Sequence, residues 1–189
     1  MRLTPRRLTR VSSLCLVLVA ALACHRGSGT GAGPAAPQLT DGNVVAIVLA
    51  ANNTDLSYAR LVPARSTNAL VKTFAELMTT DHTILNARVN EIASRNGVTP
   101  DDHPASLDFR DHSAQRRDVL RELSGARFDS TYIANEIQYH KELLAALDGL
   151  LIPFTHGPEL REFVANLKPA VSAHLAHAER VRASLTTRK

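Results

Sequence analysis

The sequence predicts an all-α protein, an antiparallel bundle of four long helices plus one shorter helix. Three observations point there. Four stretches repeat apolar residues in alternating steps of three and four. No stretch alternates with the period of two that a half-buried strand needs. Capping residues and Gly- or Pro-containing breaks stand at the ends of those stretches. A seam of mean step about 3.5 residues further predicts slightly tilted, left-handed packing.

Before the helices, residues 1–24 read as an export signal. Arg2, Arg6, Arg7 and Arg10 form a basic start, and Val11 to Ala23 is a mostly apolar run of 13 residues. A bilayer-spanning helix takes roughly 20 residues, so this run fits the core of a signal peptide. It ends in "AALAC", where Ala21 and Ala23 suit cleavage and Cys24 follows as in the lipobox of bacterial lipoproteins. Leu is more usual at position 21 and a small residue at 22, so the box is imperfect. Cys15, the other of two cysteines, falls inside the apolar run, so cleavage leaves Cys24 without a disulfide partner. Lipidation accounts for that lone thiol; the alternative is ordinary cleavage and a soluble periplasmic or secreted protein. His25 stands where an aspartate would favour the inner membrane. The expected location is therefore the outer membrane or periplasm, with a lipid at Cys24 as the link to the membrane.

The formal charge of +4 resides entirely in those four arginines, since residues 1–24 contain no acid. The remainder is neutral and so has no cationic field for nucleic acid. With no Trp, five Phe and three Tyr, no stacking platform stands out either. Nucleic acid is excluded as a partner, and protein partners are not legible. "HRGSGTGAGPAAPQLT", residues 25–40, reads as a flexible tether, and its glycines follow no strand that would make a dinucleotide loop. Residues 41–186 form one domain.

The first helix is predicted over 42–62, capped by Thr40 or Asp41, with Val44, Val48, Ala51, Asp55, Tyr58 and Val62 along its seam. "PARST" turns the chain. The second runs over 68–95 from a Ser66 or Thr67 cap to Asn96-Gly97, with Val71, Phe74, Met78, His82, Leu85, Val89 and Ile92 inside. "VTPDDHPASLD" reads as a polar loop before the shorter helix, 109–123, which carries the charged outer face "QRRDVLRE" and stops at Ser124-Gly125. The fourth helix spans 129–151, stapled and capped by Phe128-Asp129, with Ile133, Ile137, His140, Leu144, Leu147 and Leu151 inside. After "IPFTHGP", the fifth covers 158–185 and buries Leu160, Phe163, Leu167, Val171, His174, Ala178, Val181 and Leu185. Pro169 removes a backbone donor within it and predicts a kink.

Each long helix has one polar residue near the middle of its seam: Asp55, His82, His140 and His174. Burying such a group without a partner costs roughly 1–3 kcal/mol, so something must satisfy them. In an antiparallel pair, residues equidistant from the turn face each other. Gly157 lies midway between His140 and His174, so these are level. Glu136 and His177 form a second rung, about 6 Å further on at 1.5 Å per residue. With the first turn centred near Arg65, His82 falls opposite Val48, which leaves Asp55 about seven residues, or roughly 10 Å, out of register.

Two readings of these residues follow. In one, His140, His174 and His82, with Glu136, His177 and Asp55 as further candidates, ligate a transition metal such as Fe, Zn, Cu or Ni. In the other, they are hydrogen-bonded core residues satisfied by one another, by Tyr132, Tyr139 or by buried water. Asp81 is read as satisfying the hydrogen bonds of His82 or as facing solvent; His25, His103, His112 and His156 are read as solvated. No activated Ser or Cys, general acid/base pair or phosphate loop is visible, so no catalytic residue is assigned.

"LVKTFAELMTTDHTILN", "LSGARFDSTYI" and "KPAVSAHL" resemble the bacterial domain of unknown function 4142. The resemblance covers about residues 42–184. It rests on Asp81-His82, Leu123-Ser124-Gly125, Phe128-Asp129, Tyr132, His140, and Pro169 five residues before His174. It implies an exported protein with a ferritin-like bundle, often labelled an outer-membrane protein. This chain has Asp55 where that family usually has Glu, and Tyr139 and Lys141 beside His140 where an acidic neighbour is common. Carboxylate-bridged di-iron bundles need a Glu-x-x-His on each of two helices. The sequence contains none, so ferroxidase or oxygenase chemistry is not indicated. The expected function is a cell-envelope lipoprotein whose buried histidines bind a metal or small ligand, or else a non-catalytic structural module.

Overall fold

The computed structural model describes residues 39–187; the expected signal, Cys24 and nearly all of the tether lie outside them. The described residues are mostly helical, with no strand. In chain order they form α1 (Asp41–Ala59), α2 (Val62–Arg65), α3 (Ala69–Arg95), α4 (Pro104–Arg121), α5 (Gly125–Ala146), α6 (Ile152–Phe154) and α7 (Pro158–Thr186). A π-helical turn, Leu147–Leu151, joins α5 to α6.

α1 packs against α3, α5 against α7, and α3 against α7, while α1 also meets α5 and closes a ring of four. α4 covers the outer side of α1. This explains why α1 is apolar nearly all round: Val44, Val45, Ile47, Val48, Leu56 and Tyr58 are all buried although they point in different directions. Thr40 caps the helix in a reciprocal box, accepting from the Asn43 N–H at 3.1 Å while its own N–H donates to Asn43 Oδ1 at 3.0 Å. Asp41 is thereby free to accept from the N–H groups of His156 and Gly157, both at 2.8 Å, tying the start of α1 to the α6–α7 connection.

Several boundaries differ from the sequence reading. α4 begins at Pro104, inside the expected loop, so its 18 residues nearly match the 19 of α1 and it is not a distinctly shorter helix. Proline suits a first helical position because its missing N–H has no partner there anyway, and the His103 ring accepts the Ala105 N–H at 3.1 Å. His103 is thus a cap and not merely solvated. α5 begins at Gly125, whose φ of +56° needs glycine, so Phe128 and Asp129 lie within the first turns instead of capping them. Phe128 stacks on Tyr132, with ring centroids 5.7 Å apart. α7 runs unbroken through Pro169, whose ring is on an exposed position, where the orphaned carbonyl one turn earlier can be hydrated.

The register of α1 and α3 also needs correction. The helical path does not end at the expected turn: α2 carries it on to Arg65, with Pro63 tolerated in its first turn. The reversal therefore occurs at Ser66-Thr67-Asn68, where Asn68 caps α3 by accepting from Leu70 and Val71. Moving the turn centre by about two residues slides the partner of His82 by about four, from Val48 to Asn52, one turn from Asp55.

Two apolar clusters result. One gathers Val44, Val48, Val89, Leu147, Phe163 and Leu167; the other gathers Tyr58, Phe74, Met78, Phe128, Tyr132 and Val181. The polar seam residues of all four ring helices lie in neither.

Candidate metal site

The polar residues are among the most buried of the described chain: Asp55, Glu136 and His140 are 0% exposed, His82 2% and His174 4%. The His140 and His174 rings face one another with centroids 5.5 Å apart, as their equal distance from Gly157 requires. His82 joins them, 5.4 Å from His174 and 6.3 Å from His140. Asp55 also belongs to the group, contrary to its expected offset, with Oδ2 3.0 Å from His82 Nε2 and 3.6 Å from His140 Nε2. Glu136 reaches it too, Oε2 lying 3.6 Å from His140 Nδ1. His177 does not. It sits half-buried with its ring edge-on to Phe74 at 5.3 Å, because α7 turns His174, Ala178 and Val181 inward and leaves position 177 on the flank.

Each of the three rings is anchored through one nitrogen. His82 Nδ1 donates to Asn52 Oδ1 at 2.9 Å, His140 Nδ1 to the Glu136 carbonyl at 2.8 Å, and His174 Nε2 to Asp81 Oδ2 at 2.8 Å. The carbonyl and carboxylate partners can only accept, so they leave the lone pair of a neutral ring on His140 Nε2 and His174 Nδ1. Both of those nitrogens are buried without a hydrogen bond, while the buried His82 Nε2 faces Asp55 Oδ2 at 3.0 Å. One nitrogen from each ring lies within 4.8 Å of one from each of the others. Asp55, Glu136 and His140 form a second, overlapping set at the same spacing. Neither Asn52 nor Asp81 stands out as an anchor in the sequence. Asn52 sits one turn before Asp55, and Asp81 directly precedes His82, which turns it toward α7 instead.

The electrostatics follow from burial and from Asp55. Burial would raise the Asp55 pKa, but the neighbouring His82, by charge and hydrogen bonding, and the other two histidines outweigh it and hold the pKa down at about 2. Burial lowers His82, yet the Asp55 carboxylate more than compensates and raises it above the usual imidazole value. His140 is lowered, chiefly by burial. Glu136 is pushed well above the usual carboxyl range by burial and by the Asp55 charge. Asp55 is thus the carboxylate whose ionised form the site favours, facing His82 and His140.

A carboxylate oxygen 3.0 Å from an imidazole lone pair is repulsive unless a cation lies between or beside them. Two cations suit: a second proton on His82 or a metal ion. Ligands at about 2.1 Å in a tetrahedron stand about 3.4 Å apart. The separations of 3.0 and 3.6 Å from Asp55 Oδ2 to the two histidines bracket that edge.

A family model described as "Domain of unknown function (DUF4142)" matches residues 27–181. No curated protein matches the chain. Among solved structures, that of a DUF305 protein from Streptomyces coelicolor, described as secreted, superposes with a TM-score of 0.65. It is 8% identical, and the match covers 78% of this chain and 94% of that one, a likeness of fold alone.

Proposed function

The chain belongs to the DUF4142 family, and from its buried site we propose that it is an envelope protein that binds one transition-metal ion through His82, His140 and His174, with Asp55 as the anionic ligand. The observation that carries this reading is the pairing of the rings. Each histidine is held from behind through one nitrogen by Asn52, the Glu136 carbonyl or Asp81, while the other nitrogen is buried, without a hydrogen-bond partner on His140 and His174 and against the Asp55 carboxylate on His82. Metal-ligating histidines are oriented in this way by hydrogen bonds to their second nitrogen. Imidazoles with one carboxylate suit Fe, Zn, Cu or Ni. Glu136, beside both Asp55 and His140, is a reserve ligand once deprotonated. No catalytic residue is assigned, and His177 is left out of the set.

The basic and apolar pattern of residues 1–24 supports export, and Cys24 is proposed as the lipidated residue. Among the described residues no helix is long and apolar enough to cross a membrane, so membrane attachment rests on that lipid. The DUF305 neighbour's description as secreted agrees with export. The ring of α1, α3, α7 and α5 supports the ferritin-like reading of the bundle.

A second reading is favoured by the 3.0 Å His82–Asp55 contact itself: a buried imidazolium–carboxylate pair that sets helix register in a structural module. Metal analysis separates the two. The purified protein is dialysed against chelator and offered Fe(II), Zn(II), Cu(II) and Ni(II), beside a His140→Ala/His174→Ala variant. Near-stoichiometric metal in the natural protein, lost in the variant, supports the site. No metal in either, with the variant merely less stable, leaves the structural reading.

A further inference from the structure

Beside the histidines lies a small cavity walled by leucines, among them Leu85 of α3, Leu147 of the π-helical turn and Leu167 of α7. Its only polar lining residues are Asn52, His82 and His174. All three are buried, and two have an unpartnered nitrogen: Asn52 Nδ2 and His174 Nδ1. Leu85 and Ala170, both half-buried, are where the cavity nears the surface.

We infer that this cavity is the entry and binding position for a small neutral ligand of two or three heavy atoms, held against His82 and His174 beside the metal. The inference rests on the metal reading above. Size sets the first limit. The cavity has room of about 30 Å³ for the centre of a water-sized sphere. A single water needs roughly 10–15 Å³ by that measure, so a molecule the size of a diatomic or triatomic fits and an organic substrate does not. Polarity sets the second. With the imidazole nitrogens committed to the metal, Asn52 Nδ2 is the remaining free hydrogen-bonding atom among the cavity's three polar residues. A ligand entering past the leucines finds nothing there to replace its hydration, so a neutral molecule enters most readily. The Asn52 amide is the donor left to meet it. Binding alone is inferred, without electron or group transfer.

The test uses nitric oxide on the protein loaded with Fe(II) under anaerobic conditions, followed by electron paramagnetic resonance. An iron(II) nitrosyl has half-integer spin and a signal that iron(II) alone lacks in the conventional measurement. The expected result is a nitrosyl signal stoichiometric with bound iron. Ala170→Leu, at a half-buried wall position, should abolish the nitrosyl signal while iron content stays the same. Leu85→Phe narrows the cavity from the opposite helix and serves if Ala170→Leu disturbs folding. Iron retained with no nitrosyl signal, or a signal unchanged in both folded variants, overturns this inference and leaves the metal reading standing. Failure to retain iron overturns the metal reading for iron and this inference with it.

Discussion

Replacing Asp55 by Asn removes one charge and almost no volume from a fully buried position, which isolates the electrostatic part of the site. The Asp55 pKa is held at about 2, against 3.8 ordinarily. Its folded pKa is depressed, so the stabilisation is present above pH 3.8 and is lost as pH falls toward 2. At 1.36 kcal/mol per unit, the difference makes the ionised carboxylate worth about 2 kcal/mol at neutral pH relative to a neutral group of the same shape. In a domain of this length that is a fall in Tm of roughly 4–8 °C. The loss in metal-free protein should vanish near pH 2–3, where Asp55 itself is protonating. With metal bound the loss should be larger, because the Asn oxygen carries no charge to offset that of the cation. The assay is thermal unfolding of both proteins between pH 3 and 8, with and without metal. If Asp55→Asn is as stable as the natural protein at pH 7 and binds metal equally well, Asp55 is neither a ligand nor the counter-charge of His82.

Three further outcomes are expected. Metal retention should fall as pH drops through the His82 pKa, which lies above 6.5, because proton and metal compete for the same lone pair; dialysis at pH 5 and 7.5 followed by elemental analysis checks this. In the metal-free protein the His82 contribution has the opposite sense, fully present below pH 6.5 and lost as pH rises through the raised pKa. Glu136→Gln should change the stability of the metal-free protein by less than about 1 kcal/mol in urea unfolding, because burial and the Asp55 charge favour the neutral carboxyl and the amide keeps its shape. Gly42→Ala should destabilise by roughly 1–3 kcal/mol, since a Cβ there would stand 2.6 Å from the Thr99 carbonyl oxygen and push away the segment whose Asp101 N–H bonds Gly42; denaturant titration reads it directly.

The residues that make the bundle were legible because their information is local. A seam of apolar residues every three or four positions sets which face of a helix is buried, wherever the partner lies, and α7 follows its predicted seam from Leu160 to Val181. The level pairing of His140 and His174 was legible for the same reason: a short connection leaves only one way to fold one helix back on the other. Cap positions were less legible, since Pro104 and His103 start a helix inside a segment whose composition also suits a loop.

By itself, then, the sequence determined that these helices form, which faces they bury, and that one polar residue interrupts each of four seams. Only the tertiary structure decided that the four interruptions meet. Asp55 joins His82 because α2 extends the first arm past Pro63, and a two-residue shift of the turn moves the facing partner by a full helical turn. Asn52 and Asp81 became ring anchors, and His177 fell outside, through the rotation of each helix about its own axis. Such rotations and shifts are set by how all the helices pack together. A periodicity is a property of one helix, and the position of a ligand is a property of several.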